Sequence, residues 1–121
     1  MITGFIEGEE TIQSVSDNIS RIEIYRNTAW STTVQINDTG DNYILGTTEK
    51  MMFIVRSGNN TILSKVLTNA DYDEDENGYI LFLSSAETDI AVGKYTYKVT
   101  LQRADGEYEP IIPLREFIIK E

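Results

Sequence analysis

The 121-residue chain has no cysteine, no histidine, two prolines and a single tryptophan. Without cysteine it can build neither a disulfide framework nor a thiolate ligand or nucleophile. Without histidine it lacks the commonest general base, the commonest metal ligand and the side chain that titrates near neutral pH. Serine and threonine are plentiful, yet the usual nucleophile–base pairs cannot be assembled, and there is no glycine-rich phosphate loop. A carboxylate pair for hydrolysis would need an apolar pocket to raise one pKa, which no sequence pattern displays. An enzyme is therefore not expected. No stretch approaches the ~20 apolar residues of a transmembrane helix. The opening MITGFIEGEETIQ has neither the basic nor the apolar region of a secretory signal. With Met1 as the start, the expectation is a protein made in the cytoplasm and not exported by a signal peptide, with no membrane partner.

What is abundant is negative charge. Twenty Asp and Glu face ten Lys and Arg, a formal net charge of −10. The cations stand singly along the chain, with no basic run, so phosphate backbones should repel it and nucleic acid is not an expected partner. Such acidity also keeps a protein with open sheet edges soluble.

The length fits one domain. Residues 1–20 are polar with isolated apolar positions at Phe5, Ile6, Ile12, Val15 and Ile19, and read as an N-terminal arm or short strand. Periodicity begins at 22–25, and Trp30, Thr32, Val34 and Ile36 alternate through the next strand. The turn NDTGD at 37–41 leads through 43–46 to a near-continuous apolar run at 51–55. SGNN at 57–60 has hairpin chemistry, and 61–67 returns. The stretch 78–101, GYILFLSSAETDIAVGKYTYKVTL, is the most structured reading in the chain. Tyr79, Leu81 and Leu83 share one face of a strand; Tyr95, Tyr97, Val99 and Leu101 share one face of another. Between them Ser84 and Glu87 have capping-box spacing, which predicts one short helical turn over 84–90 released at Gly93. After the turn ADGE at 104–107, a last strand spans 111–119, with Pro113 marking an edge or a bulge. The sum is all-β: an immunoglobulin-like antiparallel β-sandwich of about seven or eight strands with one short helical turn, occupying 21–121.

One loop carries a metal-like pattern. DEDENGYI at 73–80 matches the first half of a calcium loop, with Asp73, Asp75 and Asn77 as candidate ligands and Gly78 at the sharp turn. The twelfth position should be a bidentate Glu but is Ser84, and strands rather than helices flank the loop. An acidic interstrand turn ending in Asn-Gly accounts for the same residues, so this reading is preferred and no cofactor is expected. Tyr72, Tyr79, Tyr95, Tyr97 and Tyr108, with Trp30, could line a sugar-binding platform. The parity of Tyr95 and Tyr97 with Val99 and Leu101 instead places them on a core face.

The order of these elements, and above all Leu83, Ser84, Glu87, Thr88, Gly93, Tyr95, Tyr97 and Val99 within LSSAETDIAVGKYTYKVTL, resembles small immunoglobulin-like structural proteins of tailed phages and prophages, including the N-terminal domains of baseplate upper proteins. The likeness spans residues 22–119. It implies a virion structural protein of the baseplate, tail or neck, located in the virion, with no catalytic residues. The implied partners are other virion proteins or copies of itself, as a homo-oligomer in the assembled particle. No receptor-binding or stalk region follows Glu121, so the expectation is a stand-alone module or the leading domain of a longer protein. The alternative use of the same sandwich is a ligand- or glycan-binding module of a bacterial surface protein.

Overall fold

The computed structural model describes residues 2–6, 10–13 and 18–121. Among them, eleven strands form two sheets. They are β1 (Ile2–Ile6), β2 (Glu10–Gln13), β3 (Asn18–Tyr25), β4 (Trp30–Asp38), β5 (Asp41–Asn42), β6 (Lys50–Ser57), β7 (Asn60–Leu67), β8 (Tyr72–Asp73), β9 (Gly78–Leu83), β10 (Gly93–Gln102) and β11 (Tyr108–Lys120). The first sheet runs β1-β4-β9-β8, with β5 also paired to β4; the second runs β2-β3-β11-β10-β6-β7. The fold is an all-β, immunoglobulin-like sandwich, as the alternating pattern predicts.

The alternation sets the interior. Val34, Ile36, Tyr79, Leu81 and Leu83 from the first sheet meet Met51, Phe53, Val55, Tyr97, Val99, Leu101, Phe117 and Ile119 from the second, all buried. Phe53 lies at the middle, 5.5 Å from the Tyr97 ring and 6.2 Å from Phe117 between centroids. Tilted rings at these distances add attraction to their large apolar area. Two tight turns follow the hairpin rules. Thr39 and Gly40 both take positive φ (53° and 91°) between the paired Asp38 and Asp41. Gly58 alone does so (60°) between Ser57 and Asn60. These are the patterns of the two primed turn types, whose twist matches the flanking strands.

Three departures from the sequence reading have physical causes. The segment 1–20 holds β1, β2 and the start of β3, and Ile2 and Ile6 lie in the core. Its apolar residues are too sparse for a periodic signal, but two of them suffice to seat a strand against β4. The strand count therefore exceeds eight, with the two-residue pieces β5 and β8 also contributing. Second, the sandwich is not wholly antiparallel: β3 pairs parallel to β11, from Arg21↔Glu116 to Tyr25↔Lys120. Third, 84–88 closes as a hydrogen-bonded turn, with Thr88 N–H donating to Ser84 O at 3.1 Å, and the short helix, of 3₁₀ type, is at Asn69–Asp71.

The capping-box reading of Ser84 and Glu87 holds in that turn. Glu87 N–H donates to Ser84 Oγ (3.2 Å) and Ser84 N–H to Glu87 Oε1 (2.9 Å). The next residue, Thr88, is fully buried; its hydroxyl donates to Thr28 O (2.7 Å) and accepts from Thr28 N–H (2.9 Å). The crossing between the sheets is thereby bolted to the β3–β4 turn. Pro113 sits, exposed, where the β10–β11 register slips between Val99↔Ile112 and Tyr97↔Arg115, so it marks a bulge as expected. No helix among the described residues is long and apolar enough to cross a membrane.

Candidate interaction surface

In an antiparallel sheet, directly opposed residues share a face. On β6 the buried Met51, Phe53 and Val55 fix the inner face, so Lys50, Met52, Ile54 and Arg56 point outward. The β10 register carries this across the sheet: Gln102 opposes Lys50, Thr100 opposes Met52, Lys98 opposes Ile54 and Thr96 opposes Arg56. On the other side Val66 opposes Met52 and Ser64 opposes Ile54. A bulge next to Arg56 displaces Ile62 from a one-to-one pairing. Ile62 and Val66 are 42% and 52% exposed. The outer face of β7, β6 and β10 is thus an apolar strip of Val66, Met52, Ile54 and Ile62. Lys50, Arg56, Lys98 and, one turn of the pleat further along β10, Lys94 surround it.

Charge sets this face apart from the rest of the molecule. Elsewhere the cations are mostly neutralised: Arg26 by Asp89 (2.9 Å), Lys65 by Glu87 (3.0 Å), Arg103 by Glu49 (3.2 Å) and Glu109 (3.1 Å), and Lys120 by Glu23 (2.9 Å). Lys120 holds the Glu23 carboxyl below its ordinary pKa through that hydrogen bond. Glu87 is held low by the Ser84 N–H and then by Lys65. Lys50, Arg56, Lys94 and Lys98 have no ion pair or side-chain hydrogen bond among the described residues, and Arg56 Nε is closed to solvent. Strands β6, β7 and β10 contain no Asp or Glu at all. In a chain with twice as many acids as bases, four cations unpaired among the described residues on one face are a local reversal of sign, with Glu116 of β11, opposite Thr96, at its margin.

The reading of the cations as scattered is therefore corrected by the fold. Lys50 and Arg56 are far in sequence from Lys94 and Lys98, and only the β6–β10 pairing makes them neighbours. A signal did exist: residues 50–70 and 90–104 are free of acids while the chain as a whole is rich in them.

The calcium-loop candidates fall elsewhere. Asp73 pairs with Gly78 to close the β8–β9 hairpin in the first sheet, and its Oδ1 accepts from the backbone N–H groups of Asp75 (2.9 Å) and Glu76 (3.3 Å). Asn77 takes the positive φ of the turn, 55°. Among the described residues no three Asp, Glu, His or Cys side chains converge as a ligand set. The tyrosines disperse too. Tyr79 and Tyr97 are in the core, Tyr72 packs edge-on against Tyr79 at 5.1 Å, and Tyr95 donates to Ala91 O at 2.6 Å. The exposed Tyr25 and Tyr108 lie at opposite ends of the long β11 ladder.

No protein-family model matches the chain, and no curated protein does. Among solved structures, the chain is similar to the fibronectin(III)-like modules of Clostridium thermocellum CbhA, with a TM-score of 0.51 at 16% identity over 99% of this chain and 96% of that one. Murine CRIg aligns with a TM-score of 0.40 at 12% identity, over 84% and 92%. At such identity the first likeness establishes the fold alone, a sandwich used mostly by non-catalytic modules.

Proposed function

We propose that the protein is a phage or prophage virion structural component, an assembly module of the baseplate, tail or neck, that works through protein–protein contacts. The observation that carries the protein-binding part is the outer face of β6, β7 and β10: apolar at its centre, flanked by cations that have no ion-pair partner among the described residues. That arrangement, an apolar middle with a polar rim, suits a protein interface. The phage assignment is supported by the resemblance of residues 83–99, and the packing gives those residues concrete work. Ser84, Glu87 and Thr88 lock the crossing between sheets, while Tyr97 and Val99 fill the core. On this reading the protein is synthesised in the bacterial cytoplasm and resides in the particle. The glycan-binding alternative has less to support it, because the tyrosines do not form one platform.

Mass spectrometry of gradient-purified particles from a producing strain tests this reading. The expected result is the chain at a fixed stoichiometry to the major tail proteins. Recovery only from cell envelopes, with none in particles, would overturn it.

A further inference from the structure

We infer that the β6–β7–β10 face binds a second copy of this chain in head-to-tail order, receiving the acidic turn between β8 and β9. The inference rests on the reading of this face as a protein-binding surface, and not on the phage assignment.

Charge identifies the occupant. The outer face of β6, β7 and β10 carries four cations, Lys50, Arg56, Lys94 and Lys98, since Lys65 lies on the other parity and pairs with Glu87; the remainder of the chain carries −14, which with +4 gives the formal −10. Two such faces brought together across a two-fold axis would oppose like charges and repel. The rest of a second copy is net acidic, and its densest acidic segment is the stretch 71–76, with Asp71, Asp73, Glu74, Asp75 and Glu76. Two of these are occupied within the molecule: Asp71 accepts from Thr68 N–H (2.8 Å) and Asp73 shapes its own turn. Glu74, Asp75 and Glu76 are exposed, and their carboxylates have no partner among the described residues.

Geometry keeps these two surfaces from meeting in one molecule. The turn projects from the first sheet, tied to β4 by Gln35 Nε2 donating to Glu76 O at 3.0 Å. The cationic face is the outer side of the second sheet, across the core. The two can satisfy each other only between copies, and because they lie on opposite sheets of the sandwich, one face–turn contact leaves the other face and turn pointing away, which makes the contact heterologous. Such contacts propagate into rings or open arrays rather than closing as dimers. Phosphate polymers are the competing anions, but the −14 borne by the rest of the chain would oppose a duplex lying on it.

Charge reversal tests the inference. Sedimentation equilibrium of the full chain at low salt should show mass rising with concentration, and added salt should reverse it. Lys94→Glu/Lys98→Glu on the face, and Glu74→Lys/Asp75→Lys/Glu76→Lys on the turn, should each weaken self-association by roughly tenfold or more. Circular dichroism melts identical to the parent would confirm that both variants fold. Mixing the two variants pairs a parental face with a parental turn and a reversed face with a reversed turn, both of opposite sign, and should restore the growth that neither variant shows alone. A parent that stays monomeric at low salt, or a dimer that survives in either variant, would overturn the inference. So would a face that binds duplex DNA equally well in the parent and the turn variant while self-association is absent. Self-association without particle incorporation would refute the virion reading alone; incorporation of a monomeric chain would refute this one alone.

Discussion

The Leu45 backbone N–H donates to the hydroxyl of Tyr79 at 2.7 Å, deep in the sandwich. The same hydroxyl donates to Tyr43 O at 3.0 Å. The segment between β5 and β6 has to leave the first sheet and enter the second, and along the way its backbone groups lose their ladder partners. Tyr79 on β9 supplies them from the side, while Leu45 plugs into the core. Tyr79→Phe keeps the ring but strands a buried N–H, which should cost about 1–3 kcal/mol. Urea unfolding at neutral pH measures it, and an unchanged midpoint would show that this bond is not holding the crossing.

The phenols also predict how stability changes with alkali. Burial raises the Tyr79 pKa above its ordinary 10.0. Burial, followed by the hydrogen bond to Glu49, raises that of Tyr43, whose hydroxyl lies 2.8 Å from both carboxylate oxygens. A raised folded-state pKa means that the native protein holds protons the unfolded chain releases. Their contribution is complete below pH 10.0 and declines as pH rises through that value and on through the folded-state pKa values. Urea midpoints should fall across this range in the parent and fall less steeply in Tyr43→Phe.

Acid acts in the opposite sense at Glu87. Its depressed pKa, set first by the Ser84 N–H and then by Lys65, contributes stability above the ordinary 4.5, lost as pH falls through 4.5 toward the folded-state value. Glu87→Gln should destabilise by about 1 kcal/mol at neutral pH, the usual worth of a cap with a partly exposed ion pair. The gap between parent and variant should close as the parent's carboxyl is protonated, which paired thermal melts at neutral and acid pH would reveal.

Gly78 marks a close approach rather than a special φ. A Cβ added there would lie 2.5 Å from Thr33 Cγ2 and 2.8 Å from Val34 O, so β9 and β4 would be forced apart. Gly78→Ala should cost about 1–3 kcal/mol as overpacking. Gly58→Ala, at an open hairpin turn, tests a different liability: its Cβ meets nothing, and only the positive φ of 60° opposes it. A smaller loss at Gly58 than at Gly78 is the expected order.

Ile2 and Ile6 are core residues, 5% and 3% exposed. Ile6→Ala should therefore lower stability by about 2–4 kcal/mol. It follows that removing residues 1–20 is an unsound probe of association, since lost binding could follow from lost folding. Chemical denaturation of Ile6→Ala distinguishes these cases: a parent-like midpoint would return the segment to the status of an arm.

Much of the fold could be read from the chain because the relevant forces are local. Strict alternation placed Tyr79, Leu81, Leu83, Tyr97, Val99 and Leu101 inside, and the spacing of Ser84 and Glu87 foretold a reciprocal cap. Turn chemistry at 37–41, 57–60 and 104–107 located three reversals. Thr88 was visible as part of a recurrent passage, but its bond to Thr28, sixty residues away, was not. The parallel pairing of β3 with β11 was equally hidden, because neither strand's pattern encodes its neighbour.

By itself the sequence determined that this is an acidic β-sandwich without the ordinary catalytic side chains, since composition and a period of two are properties of the chain alone. Which surface stands out was decided only by tertiary structure. Lys50, Arg56, Lys94 and Lys98 are single charges in the sequence, and they become one cationic field, unpaired among the described residues, when hydrogen bonding sets β6 beside β10. Sheet register, a long-range choice, converts scattered cations into a candidate interface.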